Sequence, residues 1–414
     1  MTCDVAVIGA GAAGIAAARL LAAHGKRVVV LEAGARLGGR AFTDAAGVDH
    51  GASWLHDAAV NPLTPLAQAL GFTVHDQGER RKLGLHVAGR PASAEERGDY
   101  LRAIEAAEAA FEAAVAAGGA DRDCVGLVPA GPWRDSVAHW LGSIINGAAL
   151  SGISLRDYVA IDLHGLNWQL AEGLGTLVAR LGAGLDVRLA TPVRRVLWGG
   201  ADVALETPAG TLRAGAVLVT VSTGVLAGEG LRFTPALPVE IQAAVQGLPL
   251  GLLSKLALRL VPGVLELPAF GRLERQAESA TDAPVNFMLR PFGRDQVVAF
   301  FGGALAWDLA KAGPAAAAAH CRAELARFWG AEAVARGVAP GGVATRWGTD
   351  PLFGGAYTHA RPGAAGARAV LREAALAGGR LRFAGEACHP THAATLGGAW
   401  ASGEAAARAM LGLA

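Results

Sequence analysis

The chain has 414 residues, 37 basic and 36 acidic side chains, a formal net charge of +1 and 52% apolar residues. At roughly 100–200 residues per domain this is enough for two or three domains around a large core, and near-neutral charge argues against a nucleic-acid partner, the run Arg80-Arg81-Lys82 reading as a solvated loop. The 57 glycines keep no three-residue period, which excludes collagen, and Cys3, Cys124, Cys321 and Cys388 share no metal spacing and read as reduced cytoplasmic thiols.

The apolar start, residues 1–21, lacks a positive n-region, is dotted with glycine and is interrupted by Arg19. It therefore reads as strand, turn and helix rather than as a leader. No later stretch of roughly 20 uninterrupted apolar residues exists, so the expectation is a cytoplasmic protein off the membrane. Asp4-Val5-Ala6-Val7-Ile8 predicts a strand, residues 12–24 a helix, and residues 27–31 a second strand ending at Glu32, together a βαβ unit. Gly9-x-Gly11-x-x-Gly14 lies at its first turn. There Gly9 permits the tight turn, Gly11 lets a pyrophosphate approach the backbone, and Gly14 lets helix pack on strand. The helix N-terminus favours the anion, and Glu32, 18 residues past Gly14, suits ribose hydroxyls. A packing turn with a surface Glu is the competing reading.

Further along, Ser93 and Glu96 form a capping box, and the helix behind it places Leu101, Ile104, Phe111 and Val115 on roughly one face. Residues 134–147 and 168–182 have helical character. Residues 186–203 alternate as strand, and 213–221 form another apolar strand. Pro235, Pro238 and Pro249 flank a short helix. Lys255 lies inside a β-like run over 252–260, where a charged amine is costly; the alternative is a buried stem with its head snorkelling to water. Residues 314–329 predict a helix, and the tail a strand at 380–383, a Gly-rich turn and a final helix to about 411. With neither repeat nor long linker, the domains are interleaved rather than strung in series.

Arg36-Leu37-Gly38-Gly39-Arg40 continues the nucleotide site, and it resembles the second fingerprint of the FAD-dependent family that includes monoamine oxidases, polyamine oxidases and histone lysine demethylases. Five further segments are similar to that family in order. These are the loop His50-Gly51-Ala52-Ser53-Trp54-Leu55-His56; Val193 within 191–196; the strand and turn over 217–226; Arg346-Trp347 with Asp350-Pro351 and then Gly354-Gly355-Ala356-Tyr357; and Phe383-Ala384-Gly385-Glu386 with Gly397-Gly398-Ala399 and Gly403-Glu404. The resemblance implies an α/β fold, with a Rossmann-like FAD domain from 1–80, 186–235 and 340–414 and an α+β substrate domain from 81–185 and 236–339. It implies non-covalent FAD, Ala356 standing where a covalent relative carries cysteine. Its FAD contacts would include Gly9, Gly11, Ala13, Gly14, Glu32 and Ala33, then Arg36, Gly38, Gly39 and Arg40. Gly51, Ala52, Ser53, Trp54, Val193 and Trp347 would follow, and from the tail Gly385, Glu386, Thr395, Leu396 and Ala399.

The same resemblance assigns Lys255 a water-mediated link to the flavin and Tyr357 one wall of an aromatic cage; His56, at the end of the 50–56 loop, is a catalytic candidate that would touch substrate or orient a water. The substrate pocket would take His56, Tyr357 and Thr395, the last replacing the usual second aromatic wall; Trp168, which has no motif support, is a further candidate wall with core as its competing reading. His56 has a competing reading as a hydrogen-bonded structural residue. Cys388, His389 and His392 imitate a metal cluster, but no further ligands converge and no metal is expected. The implied reaction passes a hydride from a polyamine or monoamine to the flavin, releases an imine that hydrolyses to aldehyde, and uses O2 to give hydrogen peroxide, in a monomer or homodimer. An L-amino-acid oxidase, a desaturase and a flavin-binding interaction protein are the alternatives.

Overall fold

The computed structural model describes residues 2–76 and 83–413, so the Arg80-Arg81-Lys82 run lies outside the described residues. The chain forms two compact units, one from Met1–Asp76, Ala160–Leu250 and Asp350–Ala414, the other from Gln77–Val159 and Gly251–Thr349.

The first unit is an α/β layer. Its central strands, Thr2–Ile8, Val28–Leu31 and Gly210–Val219, pair in parallel, and Leu381–Phe383 adds in parallel to Gly210–Val219. Parallel strands covered on both faces read as unbroken apolar runs, as in Val28-Val29-Val30-Leu31. The helix Ala12–Ala23 packs on the final helix, Leu396–Leu411. That approach is so close that a Cβ on Gly403 would collide with the carbonyl oxygen of Ala13.

Two expected elements of this unit are corrected. Residues 168–182 are not one helix: Trp168–Leu170 is a strand antiparallel to Val74–Asp76, and the helix is Leu174–Leu181. Gly173 separates them at φ 87°, and a side chain there would strike Thr43. Residues 186–203 break into Val187–Arg188, Arg195–Leu197 and the start of Val203–Thr207. Pro192 between the first two lacks the N–H a ladder needs.

The second unit is built on a seven-stranded sheet in the order Val343–Ala344, Leu253–Arg259, Gln296–Gly302, Asn286–Leu289, Gly271–Arg275, Leu83–Val87, Arg90–Pro91. The helix Ala94–Ala116 begins with the expected box: Glu96 N donates to Ser93 Oγ at 3.0 Å and Ser93 N to the Glu96 carboxylate at 2.7 Å. Its buried stripe is Tyr100, Ala107 and Phe111, while Leu101 is 41% exposed and leaves the predicted face. Tyr100, one residue earlier, takes that core position against the Trp133 ring at 5.2 Å. Residues 134–147 start as the α-helix Arg134–Ala138 and widen into π-helical turns over His139–Ile144.

The unit boundaries depart from the sequence-based division for packing reasons. Residues 160–185 and 236–250 fall in the first unit and 340–349 in the second. Leu174, Leu177, Val178 and Leu181 bury with Ile15, Ala41 and Leu55. Ile241, Ala244 and Val245 of the helix Val239–Gly247 bury with Val217 and Leu381, and Val343–Ala344 joins the edge of Leu253–Arg259. All four cysteines are free and buried. Among the described residues no helix is long and apolar enough to cross a membrane.

Two stability outcomes follow. Gly403→Ala should cost about 1–3 kcal/mol through overpacking, and Ser93→Ala about 1 kcal/mol through loss of the cap. Urea denaturation checks both; an unchanged midpoint in Gly403→Ala would refute the close helix contact.

Candidate functional site

The turn after the first strand is shaped from within. Gly9 sits at φ 107°, and a Cβ there would lie 2.9 Å from Thr220 Oγ1, the hydroxyl that itself donates to Ile8 O at 2.9 Å. A Cβ on Gly14 would collide with Gly9 O, so the helix is seated directly on the turn. Gly11 differs: a Cβ there meets nothing within 4 Å. Neighbouring protein therefore explains Gly9 and Gly14, whereas Gly11 borders open space at a helix N-terminus, the cradle a diphosphate needs.

Glu32 is no surface acid. Its carboxylate accepts from Ala10 N and Gly34 N, both at 2.7 Å, which fixes it beside the turn with Ala33 between. Gly38 N donates to Ala10 O at 2.9 Å, which lays Gly38-Gly39 against the turn. The Arg36 guanidinium stacks 4.4 Å from the Phe42 ring centroid, and burial pushes its pKa below the ordinary value. Arg40 Nη1 reaches across the sequence to Ala356 O at 2.8 Å and Glu386 Oε1 at 2.9 Å.

Glu386 follows the strand Leu381–Phe383 and is 6% exposed, a buried acid at the turn that follows the strand. Besides Arg40 it accepts from Thr358 Oγ1 at 2.5 Å. At Gly385 a Cβ would again meet nothing within 4 Å. Thr395 caps the final helix: its hydroxyl accepts from Gly398 N at 2.9 Å and donates to His392 O at 2.7 Å. The sequence comparison treated this position as a missing aromatic wall, and the cap was the overlooked signal. Leu396 is buried and Ala399 half-buried behind it, while Val193 and Ala13 lie in the unit's core.

The 50–56 loop folds onto the same unit. Ala52 N donates to Arg40 O at 3.3 Å, and Ser53 Oγ to Asp49 O at 3.3 Å. The Trp54 and His56 rings lie 6.3 Å apart. His56 Nδ1 pairs with Asn167 Oδ1 at 3.0 Å and its carbonyl accepts from Asn61 Nδ2 at 2.8 Å, while burial lowers its pKa. Trp168 runs antiparallel to Leu55, and its Nε1 is buried with no hydrogen-bond partner among the described residues. Asn61 also packs where a Gly397 side chain would be, which joins this loop to the final helix. Tyr357, in the short strand Tyr357–Thr358, is half-buried with its phenol pKa raised by burial. Asp57, at φ 48°, faces His392 Nε2 at 3.1 Å. Burial, aided by His392, holds His389 at about 4, and burial pushes the Cys388 thiol up to about 12. Among the described residues no group of three or more His, Cys, Asp or Glu is placed to hold a metal.

Lys255 and Trp347 belong to the second unit. Lys255 is 3% exposed at the centre of Leu253–Arg259, with Nζ 5.4 Å from the Phe300 ring centroid, so its head does not snorkel. Its backbone pairs with Thr345, and Trp347 is buried close by in sequence. Thr358, Arg368 and Asn167 were missed; each stands outside any motif and is recruited only by the fold.

Residues 12–411 match the family model described as flavin containing amine oxidoreductase. The lysine-specific histone demethylase 1 homolog 2 of Oryza sativa subsp. japonica is 31% identical over 97% of this chain and 56% of its own length. The protein of the same name from Arabidopsis thaliana is 31% identical over 97% and 57%. The chain thus spans little more than half the length of these curated relatives. A solved putrescine oxidase bound to putrescine superposes with a TM-score of 0.79 at 20% identity, covering 100% of this chain and 99% of that one. That likeness establishes the fold.

The open and closed glycines separate two outcomes. Gly11→Ala should leave the stability of the cofactor-free protein within about 1 kcal/mol yet raise the FAD Kd at least about tenfold. Gly14→Ala should destabilise the fold itself. Calorimetry and flavin-fluorescence titration distinguish them; equal behaviour would refute the assignment of Gly11 to ligand approach.

Proposed function

This chain belongs to the flavin-containing amine oxidoreductase family and takes FAD as its cofactor, and on that premise we propose that it oxidises a small aliphatic amine, with polyamines as the favoured class. When bound, FAD supplies the acceptor for the hydride of the amine's α-carbon and is restored by oxygen, giving hydrogen peroxide. The imine leaves and hydrolyses to an aldehyde.

The chain's own residues bind and orient. The Gly9–Gly14 turn, Gly38 and Gly39 would cradle the diphosphate with Arg36, and Glu32 would take ribose hydroxyls. Glu386 would accept hydroxyls at the flavin end, and the final helix would turn its N-terminus toward developing negative charge. Tyr357 would present its ring face to the amine. His56 is kept neutral by burial. Its Nδ1 faces an amide oxygen, so Nδ1 carries the proton and Nε2 is left as an acceptor for an amine N–H. Trp168 Nε1 is a second directed group on that unit. By the family resemblance, Lys255 on the second unit would order a water and assist flavin reduction or reoxidation.

Lys255 carries the proposal. A lysine in mid-strand, 3% exposed, stands where the resemblance places the family's lysine, and buried titratable groups gather at functional sites. The names of the relatives favour one second reading, in which the amine is a methylated lysine of a peptide.

An anaerobic panel of putrescine, spermidine, spermine, acetylated polyamines, aromatic monoamines, a methyl-lysine peptide and L-amino acids should bleach the flavin with polyamines first. Bleaching by L-amino acids alone, or by none of them, defeats the proposal. Lys255→Met should keep its FAD but slow flavin reduction or reoxidation by about 10²-fold. Unchanged stopped-flow rates would remove Lys255 from the chemistry.

A further inference from the structure

Glu386 is the end of a buried relay. Arg368, on the helix Ala367–Glu373, is 3% exposed and its Nη1 donates to Thr358 Oγ1 at 2.8 Å. Thr358 is 1% exposed, and its Oγ1 lies 2.5 Å from Glu386 Oε2. The direction is forced by chemistry. A guanidinium only donates, and a carboxylate paired with Arg40 only accepts. The single hydroxyl proton of Thr358 must therefore point at Glu386 while the oxygen's lone pair receives Arg368. The same guanidinium spans Ala387 O at 3.4 Å and Thr358 O at 3.5 Å, so it braces the backbone on both sides of the carboxylate. Arg40 fixes the other oxygen, Oε1.

We propose that Arg368 is a positioning residue for the cofactor: acting through Thr358, it locks the rotamer and the accepting edge of Glu386 toward the flavin end of the site. This rests on the FAD assignment and extends it to residues that never touch the ligand. The relay is cooperative, since each bond polarises the next. Its loss should cost ligand affinity only at the end of FAD that Glu386 serves.

The test titrates the full-length protein, freed of cofactor, with FAD and separately with ADP. Thr358→Val and Arg368→Met should each raise the FAD Kd about tenfold and leave the ADP Kd unchanged. Thr358→Ser, which retains the hydroxyl, should restore wild-type affinity. The double variant should be no worse than either single one, because both cut one chain of bonds. FAD should also raise the melting temperature of Thr358→Val by less than it raises that of wild type. Equal loss of FAD and ADP binding, or additive loss in the double variant, means a structural role and overturns the proposal. Unchanged FAD binding in Thr358→Val overturns it as well. If Arg368→Met does not fold, the Val and Ser variants at 358 decide alone. Wild-type protein that takes up ADP but not FAD would instead refute the functional reading beneath the proposal.

Discussion

The first unit depends on backbone meeting backbone without side chains between. Gly14 rests on the carbonyl of Gly9, and Gly403 rests on that of Ala13. These two contacts place the opening helix hard against the turn and the closing helix hard against the opening one. Residues about 390 apart in sequence are thereby pressed into one layer. A Cβ at either point would push the layers apart and shift the helix N-terminus at which Gly11 stands. The cradle is thus a consequence of packing density rather than of a loop free to choose its shape.

Charge is distributed along the same line. Arg40 comes from the N-terminal fingerprint and Glu386 from the C-terminal strand, and the two meet at 2.9 Å in a setting largely removed from water. Taking both ions out of solvent is costly, and attraction alone seldom repays it. Here the carboxylate gains further donors from Thr358, and Arg40 spends a second contact on Ala356 O. Such saturation stabilises a buried pair and fixes its orientation, and fixed orientation is what a ligand-facing carboxylate requires. On the second unit the Lys255 Nζ lies 5.4 Å from the Phe300 ring centroid.

The sequence was most legible where one physical signal ruled. Val28–Leu31 and Leu253–Arg259 are uninterrupted β runs, Pro314–Trp329 has proline at its first position and glycine past its last, and all three stand where pattern places them. The turn glycines and Glu32 were legible because strand, turn and helix had to agree. Trp168–Leu170 was not, since three residues of strand carry no periodicity and their partner lies at Val74–Asp76. The unit boundaries were hidden for a related reason: helices Leu174–Leu181 and Val239–Gly247 are amphipathic in sequence, and which core receives their apolar face is decided by tertiary packing. The relay through Thr358 and Arg368 leaves no trace at all, because its members are 10, 18 and 28 residues apart and no local rule links them.

Position 395 shows how local chemistry and pocket shape compete for one side chain. A helix that begins at Leu396 needs an acceptor for its early amides, and Thr395 supplies it to Gly398 while tying itself to His392 O. A tyrosine at that position has its hydroxyl far from the backbone and could not reach back to cap. An aromatic wall there would leave Gly398 N to find another partner, at about 1 kcal/mol for a lost cap. Threonine keeps the helix end defined and the side chain short. The cap therefore determines both where the final helix starts and how short the side chain in front of it has to be.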